Sequence, residues 1–321
     1  MPGTVAELLT RTIPDKLWHY TSIRGFEGIV KSKSMFATDL RFLNDREEFV
    51  HAREIADKVV GNSPELGANG FKDRDYLRKA VELSFDSGPL ARIEVFVASF
   101  TAAEDQLGQW RGYSHESSGV SLAFDLKSFR PPPDIGTLAL FAPCVYEPSD
   151  KEELVRDALH HFKDEVITYR ERAFAEACRL NPEKQTANKE QVATDFLIAN
   201  PTKQAPFKVL QDAVLKTRID CLRIAGLLKN LAFKEENEWR LVLPVLLDLQ
   251  APMKNPPQFR FGKTTLIPYI AHPFTAAALP MVDVILGPGS DENSVFAAQR
   301  FLKSHDINIT PRLSKVPYRS A

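Results

Sequence analysis

The feature that most constrains this 321-residue chain is a change of rhythm along it. Short apolar runs of strand length crowd both ends, and helix formers fill the stretch from Asp150 to Lys229. The strand-like runs are LWHYTS (Leu17 to Ser22), IEVFVASFT (Ile93 to Thr101), GVSLAFDL (Gly119 to Leu126), EWRLVLPV (from Glu238) and VDVILGP (from Val282). They are rich in β-branched and aromatic residues, which fit a pleated, half-buried surface. QFRFGKTTLIPYI, Gln258 to Ile270, also reads as strand. Strict strand–helix–strand alternation is absent, so a doubly wound parallel sheet is not expected. The pattern predicts an α+β fold with a mixed or antiparallel sheet. We read residues 1–321 as a single domain with a mainly helical insertion at about 150–229. GVSLAFDL is expected to pair with IEVFVASFT. Asn181 to Glu190 is polar enough to read as a loop.

Composition removes several function classes. Lys plus Arg number 41 against 42 Asp plus Glu, a formal net charge of -1. No long-range field draws such a chain to nucleic acid or an anionic membrane. The three cysteines, Cys144, Cys178 and Cys221, are far apart, which argues against a thiolate zinc site and for buried thiols in a reducing compartment. The N-terminus lacks the pattern of a signal peptide. No apolar run approaches the ~20 residues a bilayer span needs. The expected location is the cytoplasm.

Familiar nucleotide and hydrolase motifs fail. GKTT at Gly262 ends like a P-loop, but Pro257 stands where the first glycine must be. There is no GxGxxG, HExxH or GxSxG.

Three segments put polar groups where a plain core would not. In His19-Tyr20-Thr21, a strand sends His19 and Thr21 to one face and Tyr20 to the other. In Ser99-Phe100-Thr101, the two hydroxyls share a face with Phe100 opposite. In KEENEWRLV, Glu236 and Glu238 lie two residues apart before an apolar strand. If that strand extends back, both carboxylates project to one side and repel, so one holds its proton more tightly. Plainer readings exist for each: a satisfied core histidine, a strand end capping a turn, and a charged loop with Lys234 and Arg240 as partners.

Taken in order, LWHYTS, FLNDREEF, VASFT with QWRGY, GVSLAFD, FKEENEWRLV, PYI, VILGP and SKVPYR resemble the bacterial domain-of-unknown-function family 2971. The layout is in turn similar to that of ADP-ribosyltransferases, which place His or Arg on an early strand, Tyr or Ser-Thr-Ser on a middle one and a Glu-x-Glu on a later one. Here His19, Ser99-Phe100-Thr101 and Glu236-Asn237-Glu238 follow that order, although the chain mixes the features of two branches.

That resemblance implies an NAD-consuming enzyme with NAD as co-substrate and no metal. Glu238 would stabilise the cationic ribose, and Glu236 would orient or deprotonate the acceptor. His19 would donate to a ribose hydroxyl, and Ser99 or Thr101 would support the nicotinamide ribose or orient the glutamate. Phe100, Tyr113 or Tyr20 would stack on nicotinamide, and Arg111 would either meet the pyrophosphate or form a surface ion pair. The acceptor would be a protein, a nucleic acid or water, and a toxin, a phage-defence effector or a housekeeping enzyme would share these motifs. Two other classes stay open. One is a non-catalytic nucleotide-sensing or interaction module. The other is a metal-assisted nuclease using Asp45, Glu47, Glu236 and Glu238.

Overall fold

The computed structural model describes residues 7–8, 10–43, 47–62, 78, 81–82, 93–113, 119–126, 139–200, 204–246, 256–262, 264–274 and 279–317. The chain is an α+β protein with a mixed, mostly antiparallel ten-stranded sheet. It divides into two compact units. Among the described residues, one holds 49–62, 78, 81–82, 148–200 and 204–225, and the other holds the rest, including every strand described.

In the helical unit, α2 (Glu47–Asn62), α4 (Pro148–Leu180), α5 (Lys189–Ala199) and α6 (Gln204–Ala225) carry the structure. Ala173 and Ala177 of α4 pack with Val192, Ala193 and Phe196 of α5. The polar stretch expected as a loop is ordered by its asparagines. Asn181 caps a 3-10 turn over Pro182–Thr186, and Asn188 accepts from the Gln191 amide to start α5. Side-chain oxygens at these positions satisfy donors that a helix start leaves open.

In the sheet unit the strands are β1 (Leu17–Ser22), β2 (Ser34–Asp39), β3 (Ile93–Thr101), β4 (Gly119–Phe124), β5 (Leu140–Pro143), β6 (Glu238–Leu246), β7 (Gln258–Phe261), β8 (Leu266–Pro273), β9 (Met281–Leu286) and β10 (Arg312–Leu313). Among the helices that accompany them are α1 (Ile23–Ser32), α3 (Leu107–Tyr113) and α7 (Glu292–Lys303). The order along the main path is β10-β9-β4-β1-β3-β2-β8-β7. Two expectations need correction. GVSLAFDL does not pair with β3; β4 pairs with β1 and β9. The run Gln258 to Ile270 is a hairpin, because Gly262 donates its amide to the Thr265 carbonyl at 2.8 Å and turns the chain back.

β3 is where the sheet branches. One edge pairs with β6 over its whole length. The other edge is shared: Phe96 and Val97 take β2, and Thr101 takes β1. Ala98 to Phe100 lie between, and three strand residues span about 10 Å. α1 follows β1 and leads into β2. Ser22 caps it by accepting from the Gly25 amide, and Phe26, Ile29 and Val30 are buried on one face as the 3.6-residue spacing predicts. Gly28 on α1 faces Phe36 of β2, where a Cβ would come within 2.7 Å of the ring. α1 thus packs with both branches.

Alternation along the strands separates two packed faces. Leu17, Phe96, Ala98, Phe100, Leu122, Phe124, Trp239 and Leu241 belong to the main core. Trp18, Tyr20, Ala123 and Ile285 face the other way and pack on Trp110 of α3. The three cysteines are buried. Among the described residues no helix is long and apolar enough to cross a membrane.

Candidate functional site

Registers decide which candidate residues meet. Thr101 stands opposite both Trp18 and Glu238, and Ser99 stands opposite Arg240. Directly opposed residues share a face. Ser99, Thr101, Glu238 and Arg240 therefore lie on the face of Trp18 and Tyr20. His19 lies on the opposite face with Phe100, whose ring centroid is 5.8 Å away. The imidazole and the carboxylate do not share a hollow, although the strand alternation within each motif is as expected.

The Glu238 face holds a charged cluster that is nearly closed to solvent. Arg240 grips Glu238 with two donors, Nε to Oε1 at 2.8 Å and Nη2 to Oε2 at 3.2 Å, and gives Nη1 to the Gly226 carbonyl at 3.0 Å. Lys229 Nζ donates to Glu238 Oε2 and, at 2.6 Å, to Glu236 Oε2. The Glu238 amide donates to the Tyr146 hydroxyl at 2.9 Å. The side chains of Lys229, Glu238 and Arg240 are 3–4% exposed, whereas Glu236 keeps 17% and forms the open end.

Local backbone explains the convergence. The strand does not extend back through Glu236. Leu231–Glu236 is a 3-10 turn started by Asn230, whose side chain accepts from the Ala232 amide. Asn237 then adopts a left-handed conformation, φ 44° and ψ 50°. That region is costly for most side chains and tolerated by asparagine. This kink aims two carboxylates, one on the turn and one on the strand, at a single ammonium. Lys229 is held by its own backbone, since its amide donates to the Val145 carbonyl at 3.0 Å. Thr101 fastens the turn to β3: its hydroxyl donates to the Glu236 carbonyl at 2.6 Å and accepts from the Ala103 amide at 3.0 Å.

The electrostatics run opposite to the expected repulsion. Burial works against the charge of Glu238, but Arg240 and Lys229 overcome it and bring its pKa down to about 2. Burial also works against Lys229, and the attraction of Glu238 more than compensates, so its pKa is raised. Desolvation, reinforced by the charge of Glu238, raises the pKa of the Tyr113 phenol. Glu238 is thus ionised and Lys229 and Tyr113 are protonated throughout the physiological range.

Other candidates are placed as follows. Tyr113 ends α3, half-buried against the Trp18–Tyr20–Trp110 cluster and within electrostatic reach of Glu238. Arg111 is exposed on the same helix. Tyr20 is buried and holds the loop after β3, accepting from the Gln106 amide at 3.0 Å and meeting Trp110 edge-on at 4.7 Å. Phe100 is enclosed by Phe124 and Phe141. Neither ring is open for stacking. Lys234, read as a partner for the glutamates, instead pairs with Glu147 at 2.6 Å. Asp45 lies outside the described residues, and so do the surroundings of the Glu47 side chain. Among the described residues no group of three or more His, Cys, Asp or Glu side chains is arranged to hold a metal ion.

Sequence reasoning missed Lys229. Its signal was available: a lone lysine in GLLKNLAF, flanked by leucines, is either misplaced or paired.

Fold and site together define a branched-sheet α+β protein with a buried Lys-Glu-Arg cluster that Glu236 brings to neutrality, with a tyrosine within its electrostatic reach. Residues 109–241, less than half of the chain, match a family model described as "Protein of unknown function (DUF2971)". The matched span contains Tyr113, Lys229, Glu236, Glu238 and Arg240 and stops short of His19, Ser99 and Thr101. No curated protein and no solved structure matches the chain.

Proposed function

We propose that this protein cleaves the nicotinamide–ribose bond of NAD and passes the ADP-ribosyl group to an acceptor or to water, with Glu238 as the charged group at the reaction centre. One observation carries the reading: a buried carboxylate kept ionised by Arg240 and Lys229, next to a half-buried tyrosine. Lys229, Glu238 and Tyr113 are all pushed away from neutrality, which disfavours chemistry that shuttles a proton at pH 7. NAD cleavage asks for none at the bond-breaking step. The pyridinium nitrogen already carries positive charge, so nicotinamide departs neutral and leaves an oxocarbenium-like ribose. A permanently ionised carboxylate stabilises that cation. Glu236, the more exposed acid, would meet the acceptor, and Tyr113 would offer its ring to nicotinamide. His19 has no part in this centre, because it stands on the other face of the sheet.

The test is release of free nicotinamide from NAD by the purified chain. Glu238→Gln is expected to lower that rate by roughly 10²–10³, the usual loss on removing one preorganised electrostatic contact. An unchanged rate would reject Glu238.

A second reading has its own support. Both oxygens of Glu238 are engaged by Arg240 and Lys229, as in a purely structural ion-pair network. This favours a non-catalytic module that binds a nucleotide-like ligand. NAD binding without nicotinamide release would select it.

A further inference from the structure

We infer that Asp105 is a positioning residue for Glu236. It ties the segment after β10 to the loop after β3, and that loop clamps the turn that carries the Glu236 carboxylate. The linkage stands on geometry alone. Its consequence for catalysis rests on the NAD reading, in which Glu236 meets the acceptor.

The turn is held by its main chain. Three successive carbonyls at its end accept from the end of β3 and the loop that follows. The Glu235 carbonyl accepts from Gln106 Nε2 at 3.0 Å, that of Glu236 from the Thr101 hydroxyl at 2.6 Å and that of Asn237 from the Ala102 amide at 3.5 Å. Where the Glu236 carboxylate stands thus depends on where Thr101 to Gln106 hold its backbone. Thr101 and Ala102 are placed by β3 itself, since Thr101 is still in register with Glu238. Gln106 lies beyond the strand and needs other anchors. Its amide donates to the Tyr20 hydroxyl at 3.0 Å. Its neighbour Asp105 supplies the rest.

The Asp105 carboxylate accepts from two other parts of the chain. Oδ1 takes the Ser314 hydroxyl at 2.6 Å and Trp110 Nε1 at 2.7 Å, and Oδ2 takes the Lys315 amide at 2.7 Å. An ionised carboxylate only accepts and has room for about four donors, so it can hold all of these at once. An asparagine would turn a donor of its own toward them. Hydrogen bonds to a charged acceptor are also roughly twice as strong as neutral ones. The segment after β10 is a fixed support, because the Ser314 amide donates to the Leu286 carbonyl of β9 at 2.8 Å and the Ser314 hydroxyl accepts from the Val316 amide at 3.1 Å. β9 and this segment therefore form a frame, and one carboxylate joins the frame to the clamp on the Glu236 turn. Trp110 belongs to α3, so the same carboxylate also fixes the helix that ends in Tyr113.

Hydrogen exchange on the full chain is the test. Asp105→Asn is expected to speed exchange in Leu231–Asn237 and in the loop after β3 by roughly tenfold or more, the effect of losing one hydrogen bond to a charged group. Exchange in β4 and α4 should stay as in the parent. Ser314→Ala leaves the carboxylate and its other bonds in place and should give the same pattern at smaller amplitude. Ser314→Thr restores the hydroxyl and should return the Glu236 turn to the parent rate. Nicotinamide release should fall in Ser314→Ala and recover in Ser314→Thr. Faster exchange confined to the segment after β10, or a uniform rise that includes β4 and α4, overturns the linkage. Normal release by Ser314→Ala with a loosened turn overturns the positioning role. A parent chain that releases no nicotinamide would sink the NAD reading alone, and the exchange pattern would still decide the linkage.

Discussion

The two faces of β3 solve the same problem in opposite ways. On one, Glu238 is buried with its charge intact, because Arg240 and Lys229 are buried with it. On the other, burial disfavours the charged form of His19, and no carboxylate among the described residues pairs with it to offset that cost. Burial opposes charge in both places. The outcome depends on whether the chain supplies a counter-charge. The Glu238 face is thus a locked network, whereas the His19 ring is held toward its neutral form.

Breaking the lock should give the largest effect. Arg240→Ala leaves Glu238 with half its compensation and is expected to cost about 3–5 kcal/mol, the usual penalty for stranding one member of a buried ion pair. Urea unfolding at pH 7 measures it. Replacing Glu238, Arg240 and Lys229 together by apolar residues of similar volume should recover most of that loss, since a buried network often stabilises no more than good apolar packing. If the single variant is as stable as the parent, the cluster is not the closed unit that its hydrogen bonds imply.

Acid sharpens the same contrast. The folded pKa of Glu238 is about 2, against 4.5 for the free side chain. The group is depressed, so its contribution is fully present above pH 4.5 and disappears as pH falls toward 2. Each pH unit between the folded and free values corresponds to about 1.4 kcal/mol, so the contribution is on the order of 3 kcal/mol. Stability measured from pH 7 to 2 should show this acid limb, and Glu238→Gln should lack it.

Much of the sheet face could be read in the sequence, because alternation in β1 and β3 is a local property. LWHYTS and VASFT state which residues share a side of their own strand. They do not state how the strands align. A one-residue change of register would have brought His19 onto the face of Thr101. The observed pairing of Trp18 with Thr101 settles that question, and it is a tertiary fact. The branch at Ala98 to Phe100 was equally hidden, since no residue there departs from ordinary strand composition. The Glu236 and Glu238 pair was visible, but its charge state was not. That depended on Lys229, which lies seven residues before Glu236 and reaches it only through the 3-10 turn and the left-handed Asn237.

Asn237 offers a milder way to disturb the cluster. Its φ of 44° suits asparagine or glycine and penalises a β-branched residue. Asn237→Val is expected to cost about 1–2 kcal/mol through backbone strain alone, and Asn237→Gly much less. Denaturant midpoints compare the two. If the valine variant also loses nicotinamide release while the glycine variant keeps it, the kink serves the aim of the two carboxylates. Equal stability of both variants would rule out strain at this residue.

The smallest effect belongs to the other face. Since the folded pKa of His19 lies below 6.5, the unfolded chain binds the proton first. Stability from this residue is therefore complete above pH 6.5 and declines as pH falls below it, at no more than about 1.4 kcal/mol per pH unit for a single proton. His19→Gln should flatten that part of the profile and leave the acid limb of Glu238 untouched, because the two groups stand on opposite faces with no shared partner among the described residues. A variant that altered both limbs would mean that the two faces are coupled through β3, and the separation drawn from the strand registers would then fail.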